Sequence, residues 1–184
     1  MGHIRTDAVT VGAGMAGVQQ ELKAVWSLRP EIGQAVQALN TALAETGTIP
    51  RRLRELMRLR AAFHNQCRTC MAVRYAPELV SEDLVCSLER PSEADNLSEA
   101  DRAALRFVDL FAKSHLVIDD AIYDNLRRYY SEGELVELGA LAAMFVGFGR
   151  LAATWALVEN LPAGFTGDLE PITPWGQREV LVAV

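Results

Sequence analysis

The sequence predicts an all-α domain, and three observations carry that prediction. Apolar residues recur at three- and four-residue steps through most of 31–161, the spacing that lines one face of a helix. Ser/Thr/Asp start signals and Gly/Pro stop signals punctuate that pattern at helical lengths. No alternating run bounded by hairpin turns interrupts it. With 184 residues, the chain is long enough to bury a core without disulfides or metals to hold it together.

The elements follow in order. The first thirty residues are Gly-rich and are expected to form an arm, 1–30. In Glu31–Glu45, Ile32, Ala35, Val36, Leu39, Ala42 and Leu43 make one apolar helical face. Gly47 stops this helix and Pro50 starts the next, which runs to about His64. Asn65-Gln66 offers a break before Cys67–Ala76, and Pro77 ends that turn because it lacks a backbone donor. Ser81 can cap a short helix through Leu88, and Glu89–Leu97, polar and carrying Pro91, reads as a loop. Ser98 with Asp101 forms a capping box for a helix to about Ser114. Asp119 or Asp120 caps the next, through Tyr130, and Ser131 with Glu134 opens a long Leu135–Asn160 helix. The tail, 162–184, is expected to be irregular, which leaves 31–161 as the helical domain.

Composition removes several classes of function. Half the residues are apolar and 23% are charged, which excludes disordered and collagen-like chains. The formal charge of −6 and pI near 5.1 disfavour a nucleic-acid partner, which needs clustered Lys and Arg. Three cysteines are too few for a secreted disulfide scaffold. The N-terminus reads as no secretory signal, so a cytoplasmic, reducing setting is expected. Leu138–Val158 is long and apolar enough for a bilayer span, but Arg150 near its middle makes a buried central helix the better reading. No membrane partner is expected. Arg150 then needs a partner, and a carboxylate across a subunit interface would serve. Met144, Phe145, Phe148 and Trp155 read as core or interface.

Two motifs compete for the chemistry. Gly12, Gly14 and Gly17 have the dinucleotide-binding spacing, but no second βα unit follows them, so no nucleotide cofactor is expected. The stronger segment is Glu55–Arg74, ELMRLRAAFHNQCRTCMAVR. Cys67 and Cys70 stand one helical turn apart and face the same way. A first-turn Cys67 would be acidified by unpaired amides and the helix dipole. Arg74, seven residues after Cys67 and four after Cys70, can place a cation over the same face and stabilise a thiolate. If the chain folds back at Asn65-Gln66, Glu55 returns toward the thiols as a proton acceptor with a pKa raised by burial. Glu55 could instead pair with Arg51, Arg52 or Arg58 on its own helix. A zinc site from His64, Cys67, Cys70 and Cys86 is disfavoured. Cys86 lies among Leu84, Val85 and Leu88 and reads as a buried structural thiol, so no metal is expected.

A glutamate followed twelve positions later by CxxC resembles the carboxymuconolactone decarboxylase and AhpD-like alkylhydroperoxidase family. IPRRLRELMRLRAA before the cysteines and SEGELVELGALAAMFVGFGRLAATWAL near the end are similar to that family's helices. The resemblance implies an AhpD-like helical bundle with the CxxC at a helix N-terminus, assembled as a homo-oligomer, a trimer or hexamer. It implies a thiol oxidoreductase that reduces a small-molecule peroxide or a disulfide through Cys67 and Cys70, recycled by a dithiol partner, with Glu55 in the proton relay. It tips the choice of attacking sulfur toward Cys70. The family's relay histidine, four positions after the second cysteine, is Arg74 here, and arginine cannot exchange a proton near neutral pH. His64 and Tyr75 are the substitutes on offer. A member that keeps the fold as a binding domain and has lost turnover is the alternative.

Overall fold

The computed structural model describes residues 2–6, 13–167, 171–177 and 179–183. Among them are eight α-helices: α1 Gly14–Ser27, α2 Pro30–Glu45, α3 Arg51–Asn65, α4 Arg68–Ala72, α5 Glu82–Cys86, α6 Glu99–Lys113, α7 Asp120–Arg127 and α8 Glu132–Trp155. Two-residue strands, β1 Val73–Arg74 and β2 Leu181–Val182, pair in parallel. The all-α expectation holds.

Local signals set most helix starts. Ser98 and Ser131 each accept the backbone N–H three residues on, while Asp101 and Glu134 return a carboxylate to the cap's own N–H, so both capping boxes form. Ser81 caps α5 and Asp119 caps α7 in the same manner.

The core is built around α3. Leu53, Met57 and Ala61 meet Phe107 and Val108 of α6 and Leu138, Leu141 and Ala142 of α8. On its other side Leu56 and Leu59 pack with Leu84, Val85, Leu88, Leu105 and Trp175. Two arginines of α3 reach carboxylates of α6. Arg52 bonds both oxygens of Asp101 at 3.0 and 2.9 Å. Arg60 bonds both oxygens of Asp109 at 2.6 and 3.0 Å and the Leu88 carbonyl at 2.6 Å.

Asp109 also accepts from His64 Nε2 at 2.6 Å. Burial pushes this carboxyl up, but the bonds from His64 and Arg60 outweigh it and hold its pKa at about 2, below its ordinary 3.8. A pKa depressed on folding means the stabilisation is complete above the ordinary value and lost as pH falls toward 2. We expect this carboxylate to contribute about 2 kcal/mol at neutral pH. Urea unfolding followed from pH 6 to pH 2 should show wild-type stability falling more steeply than that of Asp109→Asn.

Four features differ from the sequence expectation. The arm contains α1, whose Val18 and Val25 are buried; Gly14 and Gly17 lie in it with no strand before them among the described residues, and Gly12 lies outside those residues. The CxxC helix stops at Ala72 rather than Ala76, because Val73–Arg74 turns to pair with Leu181–Val182. Helix α8 ends at Trp155 rather than Asn160; Ala156 adopts a left-handed backbone (φ 53°), and His3 covers the exposed carbonyls through N–H to Trp155 and Nδ1 to Thr154. Helix α8 is long and apolar enough to span a membrane, yet it is buried on one face only. Val136, Phe148 and Leu151 are exposed, and Arg150 donates to the Ala112 carbonyl of its own chain.

Candidate active site

The geometry begins where α3 ends. Gln66 takes a left-handed conformation (φ 50°), which costs a non-glycine residue about 1 kcal/mol. Its side chain offsets this by donating to the Phe63 carbonyl at 2.7 Å and accepting the Ile172 N–H at 2.9 Å. The chain therefore reverses at the predicted Asn65-Gln66 break, and Cys67 becomes the N-cap of α4. Its sulfur accepts the Cys70 N–H at 3.3 Å.

Cys67 and Cys70 are joined as a disulfide, with Cα atoms 5.2 Å apart. Their surroundings differ. Cys67 is fully buried (0% exposed). Cys70 is half-buried and lines a cleft of about 550 Å³. The cleft lies between α1, α2 and α8, with Leu22, Trp26, Met144, Phe148 and Trp155 among its apolar walls and Arg58 and Tyr75 beside the cysteine. Gly149 belongs to the wall as well; a methyl group there would overlap the Asn65 amide, which bonds the Phe145 carbonyl at 2.8 Å.

Glu55 does return to this neighbourhood, through an intermediary. Arg58 Nε and Nη2 each lie 2.8 Å from a Glu55 oxygen. The same guanidinium donates at 2.6 Å to the Cys70 carbonyl and at 2.6 Å to the Val73 carbonyl. Its charge thus sits at the C-terminal end of α4, where exposed carbonyls favour a cation. Glu55 also accepts the Tyr75 N–H at 3.0 Å, and Arg58 lies 4.8 Å above the Tyr75 ring. Burial pushes the Glu55 carboxyl up, as expected from sequence, but the charge and bonds of Arg58 and the Tyr75 amide outweigh it. The net direction is downward, which corrects the expected rise: Glu55 is a buried carboxylate held ionised by Arg58. The glutamate pairs on its own helix, yet in the interior and against the CxxC. Arg58 is the residue that sequence reasoning underrated. The available signal was its spacing, since it stands twelve positions before Cys70 as Glu55 stands before Cys67.

Arg74 goes elsewhere. Its Nε and Nη2 bond Glu82 at 2.7 and 3.0 Å, Nη1 the Met71 carbonyl at 2.7 Å, and Nη2 the Pro174 carbonyl at 2.7 Å. The expected cation over the thiols requires the helix to continue to residue 74. It stops at Ala72, and extended backbone alternates sides: Val73 and Tyr75 line the cleft while Arg74 points away. Arg74 is a buried strut (1% exposed) between α4, α5 and the tail. Arg74→Ala would orphan the Met71 and Pro174 carbonyls, so a loss of about 2–4 kcal/mol is expected in urea unfolding.

The substitutes for the relay separate in the same way. His64 faces Asp109 on α6, whereas Tyr75 borders the cleft. Cys86 is exposed rather than buried, because Leu84, Val85 and Leu88 form the buried face of α5 and Cys86 falls on the other. Among the described residues no cluster of three His, Cys, Asp or Glu side chains is placed to hold a metal, and His64, Cys67, Cys70 and Cys86 are not gathered.

Residues 30–109 match the family model described as the carboxymuconolactone decarboxylase family. Over this segment the chain is similar to the carboxymuconolactone decarboxylase family. It carries Glu55, Arg58, Cys67, Cys70 and Arg74, and leaves α1, α7, α8 and the tail outside the match. An uncharacterized Mycobacterium tuberculosis protein, found in two strains, is 36% identical over 89 residues, or 46% of this chain. The chain spans only 31% of the length of these curated relatives. A protein of unknown function from Agrobacterium tumefaciens, suggested to be the antioxidant defence protein AhpD, is similar in fold: TM-score 0.63 at 24% identity, over 76% of this chain and 96% of that one. An uncharacterized peroxidase-related protein from Ralstonia eutropha, described as an alkylhydroperoxidase AhpD core, gives TM-score 0.63 at 21% identity over 78% and 77% of the two chains. A peroxidase-related protein from Silicibacter gives TM-score 0.64 at 18% identity over 78% and 77%. These likenesses show that the helical fold shared with those proteins extends past the matched segment.

Proposed function

We propose that the chain is a thiol oxidoreductase that reduces a peroxide or disulfide through Cys70 and Cys67 and is recycled by an external dithiol. One observation carries this reading: two sulfurs within bonding reach, one facing an apolar cleft and one buried behind it. In the reduced protein, the Cys70 thiolate attacks the outer oxygen of a hydroperoxide. The O–O bond breaks, the alkoxide takes a proton and leaves as the alcohol, and Cys70 becomes a sulfenic acid. Cys67 then attacks that sulfur, expelling hydroxide, which is protonated to water, and the disulfide forms. The two thiols supply the two protons and two electrons. A dithiol donor reverses the oxidation by two exchange steps, each through a mixed disulfide.

Cys67 suits the resolving and leaving role, because the Cys70 N–H is already directed at its sulfur. Glu55 and Arg58 hold the carbonyl end of α4, and Tyr75 lines the cleft beside Cys70. Homo-oligomerisation, a trimer or hexamer, is part of the proposal: α2 buries none of its residues, and its Ile32 and Leu39 are exposed together with Val136 and Leu151 of α8. A reducing cytoplasm would keep the pair cycling.

The alternative, a helical binding domain without turnover, is favoured by the engagement of Arg74 in a strut where the family keeps a histidine. Stoichiometry separates the two. Reduced protein given one equivalent of cumene hydroperoxide should yield one equivalent of cumyl alcohol and lose two hydrogens in mass between Cys67 and Cys70. Persistence of both thiols after peroxide addition would establish the alternative.

A further inference from the structure

We propose that Trp26, on the N-terminal helix outside the family-matched segment, is a specificity-determining residue that selects substrates carrying a bulky apolar group. This rests on the peroxide-reducing reading of Cys67 and Cys70, and it adds a selectivity element that belongs to this chain's own α1.

Helix α1 does not sit apart from the thiols. Val18 is buried in the cluster that holds Met71, Ala72 and Phe165, and Leu22 and Cys70 pack against that cluster. Leu22 also packs against a neighbouring cluster formed by Val25, Trp155 and Leu157, to which Trp26 is joined. One turn of helix, about 6 Å, separates Leu22 from Trp26. Along that turn α1 forms a continuous apolar wall of the same cleft that Cys70 lines.

Trp26 is fixed there. Its ring meets Trp155 edge-on with centroids 5.1 Å apart and is tilted against Phe148 at 6.4 Å. From behind, Gly33 of α2 lets the backbones close up, since a Cβ there would lie 3.1 Å from Trp26 Cβ. Three aromatic rings from two helices therefore face a space with room for more than a two-oxygen molecule. The ring stays only half-buried, so apolar surface remains available to a ligand. A hydroperoxide with an aryl or branched alkyl group would remove that surface from water, whereas hydrogen peroxide has nothing to place against it.

The test compares cumene hydroperoxide with hydrogen peroxide, using dithiothreitol as reductant, in wild type, Trp26→Ala, Trp26→Phe and Leu116→Ala. Wild type should prefer cumene hydroperoxide in kcat/KM. Trp26→Ala should lower the ratio of the two kcat/KM values about tenfold, mostly through KM, with Trp26→Phe intermediate. Leu116→Ala, on an exposed side chain away from the cleft, should keep the wild-type ratio. Far-UV circular dichroism checks that each variant keeps its helices. A readout without turnover accompanies these assays: cumyl alcohol should slow alkylation of Cys70 in reduced wild type, read by peptide mass, and should do so less in Trp26→Ala. A ratio near one in wild type, or an unchanged ratio and unchanged protection in Trp26→Ala, overturns the role of Trp26 and leaves the peroxidase reading standing. Failure of wild type to consume either peroxide overturns both.

Discussion

Cys70→Ser is expected to lower peroxide turnover by about three orders of magnitude or more, the scale on which enzymes lose rate when the nucleophile is removed. Serine fits the half-buried site, so unfolding does not explain the loss. Cys67 remains in that variant, but it is fully buried and does not line the cleft. Cys67→Ser is expected to behave differently. Cys70 still reacts once, but its sulfenic acid has no partner and proceeds to the sulfinic acid under excess peroxide, read as a mass gain of two oxygen atoms on that peptide. The reverse pattern, over-oxidised Cys67 in Cys70→Ser and unreactive Cys70 in Cys67→Ser, would exchange the two roles.

The second large effect falls on the Glu55–Arg58 pair. Glu55→Gln leaves the partly buried Arg58 guanidinium without its buried countercharge, and breaking such a pair from one side costs about 3 kcal/mol. Unfolding in urea measures it. Replacing both residues by apolar ones of similar size, Glu55→Leu with Arg58→Met, is expected to cost less than the sum of the two single changes, because no lone charge stays behind. The pH dependence follows from the direction of the shift. The Glu55 carboxyl lies below its ordinary value in the folded state, so its stabilisation is complete above about pH 4.5 and disappears as pH falls through the folded value. Glu55→Gln should therefore differ most from wild type at neutral pH and converge with it in acid. An additive double variant would show that the pair is not coupled.

Much of the fold could be read from the chain because its signals are local. Ser98 with Asp101, and Ser131 with Glu134, lie three residues apart and need nothing else to start a helix. The reversal at Gln66 was legible for the same reason. The site was legible in its sulfurs and less so in its charges. Helical spacing puts Arg74 over the thiols, but Leu181–Val182 ends that helix early by pairing with Val73–Arg74. No local rule sees a strand partner from so far along the chain. The pKa direction of Glu55 depended on which of three arginines folded onto it, and that is decided by the carbonyls of Cys70 and Val73. Cys86 is exposed despite its apolar neighbours because they share its five-residue helix, not its face.

The tail brings one further consequence. Pro174 accepts from Arg74, Ile172 from Gln66, and Leu181–Val182 pairs with the strand that follows α4, so the seat of the sulfur pair is assembled partly from residues 172–174 and 181–183. Synthesis proceeds from the N-terminus. Glu55, Arg58 and both cysteines thus leave the ribosome before the segment that braces them, so the brace is the last part of the site to be added.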